Sequence, residues 1–381
     1  MIYKEFKGMK LSQLGFVAMR LPVIDGDDGK IDVPQTVKMV DIAMDKGINY
    51  YDTAWGYHGE HSEEVMGEAL RKYPRDSYYF ATKFPGYDLA NMPKVKEIFE
   101  AQLDKTGLDY FDFYMLHNVC ELNVNQYLDP QYGIMDYLLE QKKAGRIRCL
   151  GFSCHGELPA MKQFLEVYGS EMEFCQLQLN YLDWEFQHGR AKVELLTEYG
   201  IPVWVMEPLR GGRLAKVSET QEKTLKELRP EETIPAWAFR FLQSLPEVKV
   251  ILSGLSNEEQ LWANIATFEE DKPLNEQEMD ALMAIAEEMA DERLVPCTAC
   301  HYCTDHCPIG LDIPRLIELY NEHTLTVRGG LFGFIAPMAM GAVPPEKQPS
   351  ACIACGSCEK VCPQQIKISG VMEDFVKQLE M

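Results

Sequence analysis

Eight of the twelve cysteines lie near the C-terminus in two runs of identical spacing. One run, "CTACHYCTDHCP", begins at Cys297, and the other, "CIACGSCEKVCP", begins at Cys352. Both have the form C-x2-C-x2-C-x3-C-P. Two-residue gaps let the chain curl and present three soft thiolates to three irons of a cubane. The repeated pattern therefore predicts two [4Fe-4S] clusters.

The fourth cysteine of each run decides how the ligands are shared. In two-cluster ferredoxins it binds the cluster of the other run. This rule assigns two ligand sets: Cys297, Cys300, Cys303 and Cys362; and Cys352, Cys355, Cys358 and Cys307. A zinc site is the main alternative, but it normally uses two C-x2-C pairs. A disulfide framework suits small secreted domains better than a late segment of a long chain.

Four polar residues of a second kind lie close to short apolar runs. Asp52, Lys83 and His117 each end such a run, and Tyr57 follows Asp52 by five residues. A carboxylate, an ammonium, an imidazole and a phenol could together carry out proton transfer. In the simpler alternative, Asp52 and Lys83 form an ion pair that stabilises the fold, and the other two line its mouth.

The elements that must position these residues alternate between short apolar runs and longer amphipathic segments. The expected strands are residues 14–18, 49–52, 78–83, 111–117, 148–153, 175–179, 202–207 and 249–252. Eight strand–helix units in about 260 residues predict an α/β fold, a (β/α)8 TIM barrel whose chemistry lies at the C-terminal ends of its strands. A doubly wound open sheet is the alternative, but no G-x-G-x-x-G follows an early strand. We expect the barrel to span residues 1–275, and a linker helix with a small, mainly helical ferredoxin-like domain to span 276–381.

Several segments in the barrel region resemble the signature segments of the aldo-keto reductase family. They are "INYYDTAWGYHGEHSEEVMGEAL", "YYFATKF", "FDFYMLHN" and "GIPVWVMEPLRGGRL", which occur in family order. The whole chain is similar to the subgroup that carries a C-terminal ferredoxin-type extension. The resemblance implies that Asp52, Tyr57, Lys83 and His117 form a catalytic tetrad.

The residue types of this tetrad suit carbonyl reduction. A carbonyl that accepts hydride becomes alkoxide-like and must receive a proton, and a phenol is a weak acid at neutral pH. We expect the charge of Lys83 to lower the pKa of Tyr57, Asp52 to hold Lys83, and His117 to orient the carbonyl.

The resemblance also implies a nicotinamide site, with departures from the family pattern. Ser153 and Gln176 would hold the carboxamide, and Leu209, Gly211 and Gly212 of "LRGG" would close over the pyrophosphate. The nicotinamide would face Met206, where the family has an aromatic residue. The adenosine-side motif is present as Gly254, Gln260 and Asn264, without the cation expected beside a 2′-phosphate. NAD, NADP and a flavin all stay open as cofactors.

The clusters allow two roles. A nicotinamide moves two electrons as hydride whereas each cluster passes one at a time, so a relay would need an intermediary such as a flavin and would use an external ferredoxin-like partner. The alternative is an ordinary NAD(P)H-dependent reductase with structural or redox-sensing clusters. A non-catalytic binding module is the third hypothesis, and the complete tetrad argues against it.

Charge and hydropathy limit the partners. The formal net charge of -22 disfavours nucleic acid, and the apolar stretch near residue 331 is too short to span a membrane. The first residues, "MIYKEFKGMKLSQLG", lack the apolar run and small-residue cleavage site of a secretory signal. We therefore expect a cytoplasmic enzyme that acts on a small-molecule carbonyl or alcohol.

Overall fold

A computed structural model describes residues 1–291, 294–295, 297, 302–327, 333, 335–362 and 365–380. The chain divides into two compact units, Met1–Leu282 and Met283–Met381. The expected boundary between residues 275 and 276 lies at the start of a helix, Glu276–Asp291, in which this division falls.

The first unit, Met1–Leu282, is described in full and contains ten strands. They are β1 Tyr3–Phe6, β2 Met9–Ser12, β3 Leu14–Val17, β4 Tyr50–Asp52, β5 Tyr79–Phe84, β6 Phe111–Val119, β7 Ile147–Cys154, β8 Cys175–Gln178, β9 Val203–Met206 and β10 Val248–Gly254. Strands β3 to β10 are parallel and close into a barrel, while β1 and β2 form a separate antiparallel hairpin. The predicted (β/α)8 barrel is confirmed.

Helices follow the barrel strands and surround them. In this unit they are α1 Val33–Asp45, α2 Ser62–Leu70, α3 Val95–Thr106, α4 Val124–Leu128, α5 Ile134–Lys143, α6 Leu158–Tyr168, α7 Asp183–Phe186, α8 Gly189–Glu198, α9 Glu219–Leu228, α10 Ile234–Gln243 and α11 Glu258–Thr267. Helix α12 is Glu276–Asp291. No helix in the described part of the chain is long and apolar enough to cross a membrane.

A tightly packed aromatic core fills the barrel near the N-terminal ends of its strands. Trp204 contacts Phe113 and Phe174, with ring centroids 5.7 and 4.8 Å apart. Phe6 of the hairpin lies edge-on to Trp204 at 5.0 Å, and Met9 and Leu11 belong to the same buried cluster. The hairpin thus closes the end of the barrel opposite the C-terminal ends of the strands, and the interior is a packed core instead of a pore.

The second unit is helical. Its helices are α13 Tyr302–Asp305, α14 Ile313–Val327, α15 Ile335–Gly341 and α16 Ile368–Leu379. Helices α14 and α16 pack together through an edge-on contact of Tyr320 with Phe375, and the Tyr320 hydroxyl donates to Asp374 at 2.7 Å. The buried core of this unit includes Cys303 and Cys358, one cysteine from each of the expected ligand runs.

Candidate active site and cluster ligands

Asp52 and Lys83 form a buried ion pair at the C-terminal ends of β4 and β5. Lys83 Nζ lies 2.6 Å from Asp52 Oδ1 and donates a second hydrogen bond to the Thr53 carbonyl at 2.7 Å. The two side chains are 0% and 1% exposed, which excludes solvent screening of the pair. Parallel register places Asp52 beside Ala81, two residues before Lys83, and this brings the two charges together.

Tyr57 and His117 lie next to this pair. The Lys83 ammonium is 5.1 Å from the centre of the Tyr57 ring, and the Tyr57 and His117 rings meet edge-on with centroids 6.1 Å apart. Both residues are half-buried. In the described part of the chain, His117 Nδ1 is buried and has no hydrogen-bond partner. The four side chains named by the sequence therefore share one site at the mouth of the barrel.

Burial dominates the protonation of this site. It raises the pKa of Asp52 and lowers that of Lys83, and each shift is opposed by the charge of the partner. Burial also raises the pKa of Tyr57 well above its usual value, with help from the negative charges of Asp52 and Glu207. The expected lowering by Lys83 is not seen: desolvation of the phenolate raises the pKa, and Lys83 is not among the charges that shift it.

The pKa of His117 lies well below its usual value, first because of burial and then because of the nearby charge of Lys83. At neutral pH the site therefore contains a protonated phenol and a neutral imidazole. A protonated phenol can give a proton to a developing alkoxide, and a neutral imidazole can donate one hydrogen bond to a carbonyl oxygen.

Ser153 and Gln176 are neighbours in register on β7 and β8, and both are buried. Ser153 Oγ accepts a hydrogen bond from the Asn118 backbone N–H at 2.8 Å. Among the described residues, Oε1 of Gln176 is buried without a hydrogen-bond partner. An unsatisfied buried acceptor fits the N–H donor of a carboxamide, so this end of the site is compatible with a nicotinamide.

The loop after β9 holds Met206, the last residue of that strand, and then Leu209, Gly211 and Gly212. Gly211 and Gly212 have φ values of 64° and 96°, and the Gly212 N–H donates to the Leu209 carbonyl at 2.9 Å. Arg210, with φ of 47°, is pinned by a buried contact of its Nε with Asp183 Oδ1 at 3.0 Å.

The adenosine-side residues make contacts of their own. Gly254 is the last residue of β10, Gln260 Oε1 accepts from the Ser256 N–H at 2.9 Å, and the buried Asn264 Nδ2 donates to Ser253 Oγ at 2.8 Å. A side chain at Gly254 would meet Arg20 at 3.2 Å. Arg20 is thus a cation beside the adenosine-side motif, and the sequence did not reveal it because residue 20 follows a different strand.

Other residues at the mouth also escaped the sequence analysis. Tyr87 meets His117 edge-on at 5.1 Å, and a side chain at Gly56 would collide with the Tyr87 hydroxyl at 2.3 Å. His155 Nδ1 lies 3.1 Å from Gln178 Oε1, and the Gln178 amide donates to Asp183 at 2.9 Å. His155 directly follows Cys154, the last residue of β7, and this position after a strand is a signal that could have identified it.

One set of cysteines surrounds a single cavity in the second unit. Cys307, Cys352, Cys355 and Cys358 all line it, together with apolar side chains such as Ile313 and Met372. Left-handed backbone at Ala354 and Gly356 turns the chain between the cysteines. Four thiols around one apolar space fit a cubane, and these are the residues that the cross-over rule groups together.

The other set is described in part. Cys303 is buried, Cys297 and Cys362 pack against the same core, and Cys300 lies outside the described residues. No three His, Cys, Asp or Glu side chains in the described ranges converge on one metal-ion position.

Comparison with known proteins agrees with both units. The model of the Aldo/keto reductase family matches residues 23–287, and that of the 4Fe-4S dicluster domain matches residues 296–366. The chain therefore belongs to the aldo/keto reductase family. It is an oxidoreductase that combines the family's barrel with a C-terminal 4Fe-4S dicluster domain.

Curated relatives match the barrel. The NADH-specific methylglyoxal reductase of Escherichia coli (strain K12) is 27% identical over 288 residues, which cover 64% of this chain and 84% of that protein. The L-galactose dehydrogenase of Arabidopsis thaliana is 24% identical over 286 residues, and the match covers 69% of this chain and 86% of that protein.

Solved structures show the same fold. The holo form of an aldo-keto reductase from Bacillus halodurans has a TM-score of 0.61 at 24% identity, with 75% of this chain and 96% of that chain covered. An aldo/keto reductase from Klebsiella pneumoniae, in complex with NADP and acetate, has a TM-score of 0.59 at 18% identity, with 74% and 93% covered.

Proposed function

We propose that this chain interconverts a small carbonyl compound and its alcohol at the mouth of the barrel, and that its two clusters relay electrons to or from that reaction. The observation that carries the proposal is the convergence of Tyr57, His117 and the buried Lys83–Asp52 pair at one site. Buried pairs of this kind, next to a phenol with a perturbed pKa, are concentrated at functional sites.

In the reducing direction, His117 donates a hydrogen bond to the substrate carbonyl oxygen and orients it. The Tyr57 hydroxyl transfers its proton to that oxygen while the carbonyl carbon gains hydride, so that two electrons and two hydrogens convert the carbonyl to an alcohol. Lys83 stabilises the resulting phenolate, and Asp52 holds Lys83 in place until solvent returns the proton. A nicotinamide or flavin bound at Ser153 and Gln176 would supply the hydride, and a flavin could also take single electrons from the clusters.

The eight cysteines of the two runs would bind the two clusters. Cys307, Cys352, Cys355 and Cys358 would hold one cluster, and Cys297, Cys300, Cys303 and Cys362 the other. Bound clusters supply single electrons, so a ferredoxin-like carrier is the partner that suits them. A cytoplasmic location would suit both the clusters and their carrier.

A second candidate is an NAD(P)H-dependent reductase whose clusters are structural or sense oxidation. It is favoured by the barrel relative, a methylglyoxal reductase whose name specifies NADH. The two candidates differ in whether the clusters change oxidation state during turnover.

The site is tested with full-length protein purified without oxygen. We expect iron and acid-labile sulfide close to about eight atoms of each per chain, as two cubanes require. Small aldehydes and ketones are then offered with NADH, NADPH or reduced ferredoxin as donor. Tyr57→Phe should abolish the reduction with every donor, whereas Tyr199→Phe, an exposed tyrosine, should leave it unchanged. Equal turnover in both variants would refute the assignment.

A further inference from the structure

A carboxyl group that the proposed chemistry does not use is buried behind β5. Glu63 lies in the first turn of α2, and its side chain is 0% exposed. Glu63 Oε1 accepts one hydrogen bond from Thr82 Oγ1 at 2.6 Å and another from Gln102 Nε2 at 2.7 Å. Because successive side chains of a strand point to opposite faces, Thr82 contacts the helices outside the barrel while Lys83 faces the site.

The Gln102 amide extends these contacts to Lys83 itself. Its Oε1 accepts a hydrogen bond from the Tyr114 hydroxyl at 2.6 Å. Its Nε2 therefore points the other way, where it donates to Glu63 and also to the Lys83 carbonyl at 2.9 Å. The side chains of this network are fully buried: Glu63, Thr82, Gln102 and Tyr114. Glu63 is thus linked to the backbone of Lys83 through a single amide group.

The same turn of α2 also fixes the loop that carries Tyr57. Ser62 precedes Glu63, and Ser62 Oγ lies 2.9 Å from Thr53 Oγ1, so the two ends of this loop are joined by a hydrogen bond. The Thr53 carbonyl in turn accepts a hydrogen bond from Lys83 Nζ at 2.7 Å. Two adjacent residues of one helical turn therefore hold the tyrosine loop and the lysine strand in a fixed relation.

The second oxygen of Glu63 lacks a hydrogen bond of its own. Among the described residues, the buried Oε2 has no hydrogen-bond partner, and the Lys105 ammonium is 3.8 Å away from it. Such an oxygen is costly to bury, and a glutamine could accept the same two hydrogen bonds at Oε1 without a negative charge. The charge of Glu63 has an effect on the site, because it helps that of Asp52 to oppose the lowering of the Lys83 pKa by burial.

We propose that Glu63 is a positioning residue for the reaction at the mouth of the barrel: its carboxylate supports Lys83 from outside the barrel, through hydrogen bonds to the lysine strand and through its charge. The inference rests on the proposed function, in which Lys83 stabilises the Tyr57 phenolate. Glu63 reaches the site only through Lys83, so it affects the chemical step and not the binding of substrate.

The first test separates kcat from KM in the full-length protein, with the carbonyl substrate found in the donor screen. Glu63→Gln keeps the hydrogen bonds to Oε1 and removes the charge, so kcat should fall at least about tenfold while KM is unchanged. Glu64→Gln, the same change at the exposed neighbour in α2, should leave both constants unchanged. Thr82→Val removes one hydrogen bond and should also lower kcat, and Thr82→Ser, which restores the hydroxyl, should recover it. Unchanged kcat in Glu63→Gln, or an equal loss in Glu64→Gln, would overturn the proposal.

The second test does not depend on turnover. The urea midpoint is measured for Glu63→Gln in the original protein and in Lys83→Met. The change should lower the midpoint more in the original protein, because in Lys83→Met it removes a charge that lies near the uncompensated Asp52. Equal shifts in the two proteins would indicate a network without coupling to the Lys83 charge and would overturn the proposal. If Lys83→Met does not fold, the kinetic comparison decides the question. The proposed chemistry fails separately, if Tyr57→Phe retains turnover.

Discussion

Replacing Lys83 with methionine should destabilise the barrel strongly, because it removes one member of a fully buried ion pair. Asp52 would lose a contact of 2.6 Å while staying 0% exposed. Removing one partner of a buried pair costs about 3–5 kcal/mol, since the remaining charge is left without compensation. The double variant Asp52→Asn/Lys83→Met contains no such charge, so we expect it to recover to within about 1–2 kcal/mol of the original protein.

The sign of the pH dependence follows from Asp52. Its pKa is raised in the folded state by burial, and loss of Lys83 removes the charge that opposes this rise. A carboxyl whose pKa is higher in the folded protein than in the unfolded chain stabilises the fold only while it is protonated. The free energy of unfolding therefore falls as pH rises from the pKa of the unfolded chain through the pKa of the folded protein. Lys83→Met should therefore be more stable at pH 5 than at pH 8, relative to the double variant.

The assay is urea unfolding followed by tryptophan fluorescence. All five tryptophans precede residue 263, so the signal reports the barrel unit and not the cluster unit. A Lys83→Met variant that loses less than about 1 kcal/mol, or a double variant no more stable than the single one, would refute this account of the pair.

Further predictions concern the imidazole, the phenol, the glycine loop and the clusters. His117→Ala should reduce carbonyl reduction about 100-fold with little change in unfolding, as steady-state kinetics and urea unfolding would show; unchanged kcat would exclude its role as hydrogen-bond donor. Because the pKa of Tyr57 is raised, the rate of carbonyl reduction should not fall as pH increases to 9, whereas the rate of alcohol oxidation, which needs the phenolate, should increase with pH. Profiles of rate against pH check both directions. A reduction rate that falls near pH 7 would contradict the raised pKa. Asp183→Asn removes the charge paired with the buried Arg210 and should loosen the loop after β9, seen as faster amide exchange at Gly211 and Gly212. Cys355→Ser should halve the iron content while Cys154→Ser, in the barrel, leaves it unchanged; equal iron in the two variants would contradict the ligand assignment.

Much of the barrel could be predicted from local sequence. The runs that end at Asp52 and His117 are short, apolar and followed by amphipathic segments, as strands of a parallel sheet covered by helices are. The count of eight such units favoured the barrel over a doubly wound open sheet. The N-terminal hairpin was missed because its strands, Tyr3–Phe6 and Met9–Ser12, are four residues each and carry exposed charges. Its role depends on contacts with Trp204, far away in sequence.

The spacing of residues in the sequence identified members of the candidate site but not their pKa shifts or their contacts with other strands. The residue types at and shortly after the strand ends were sufficient to predict Lys83 and Tyr57 as residues of the site. The direction of the Tyr57 pKa shift was not predictable, because burial and the charges of Asp52 and Glu207 all raise this pKa and are set by the folded chain. Arg20 and Glu207 follow different barrel strands and come together only when the barrel closes.

The most direct test of the central claim is an anaerobic single turnover. Full-length protein with chemically reduced clusters is supplied with a flavin as hydride carrier and mixed with a carbonyl substrate found in the donor screen. The alcohol is quantified beside the electron paramagnetic resonance signal of the clusters. The account predicts two electrons lost from the clusters for each alcohol formed, and neither change in Tyr57→Phe. Alcohol formation without cluster oxidation, or cluster oxidation that persists in Tyr57→Phe, would contradict it.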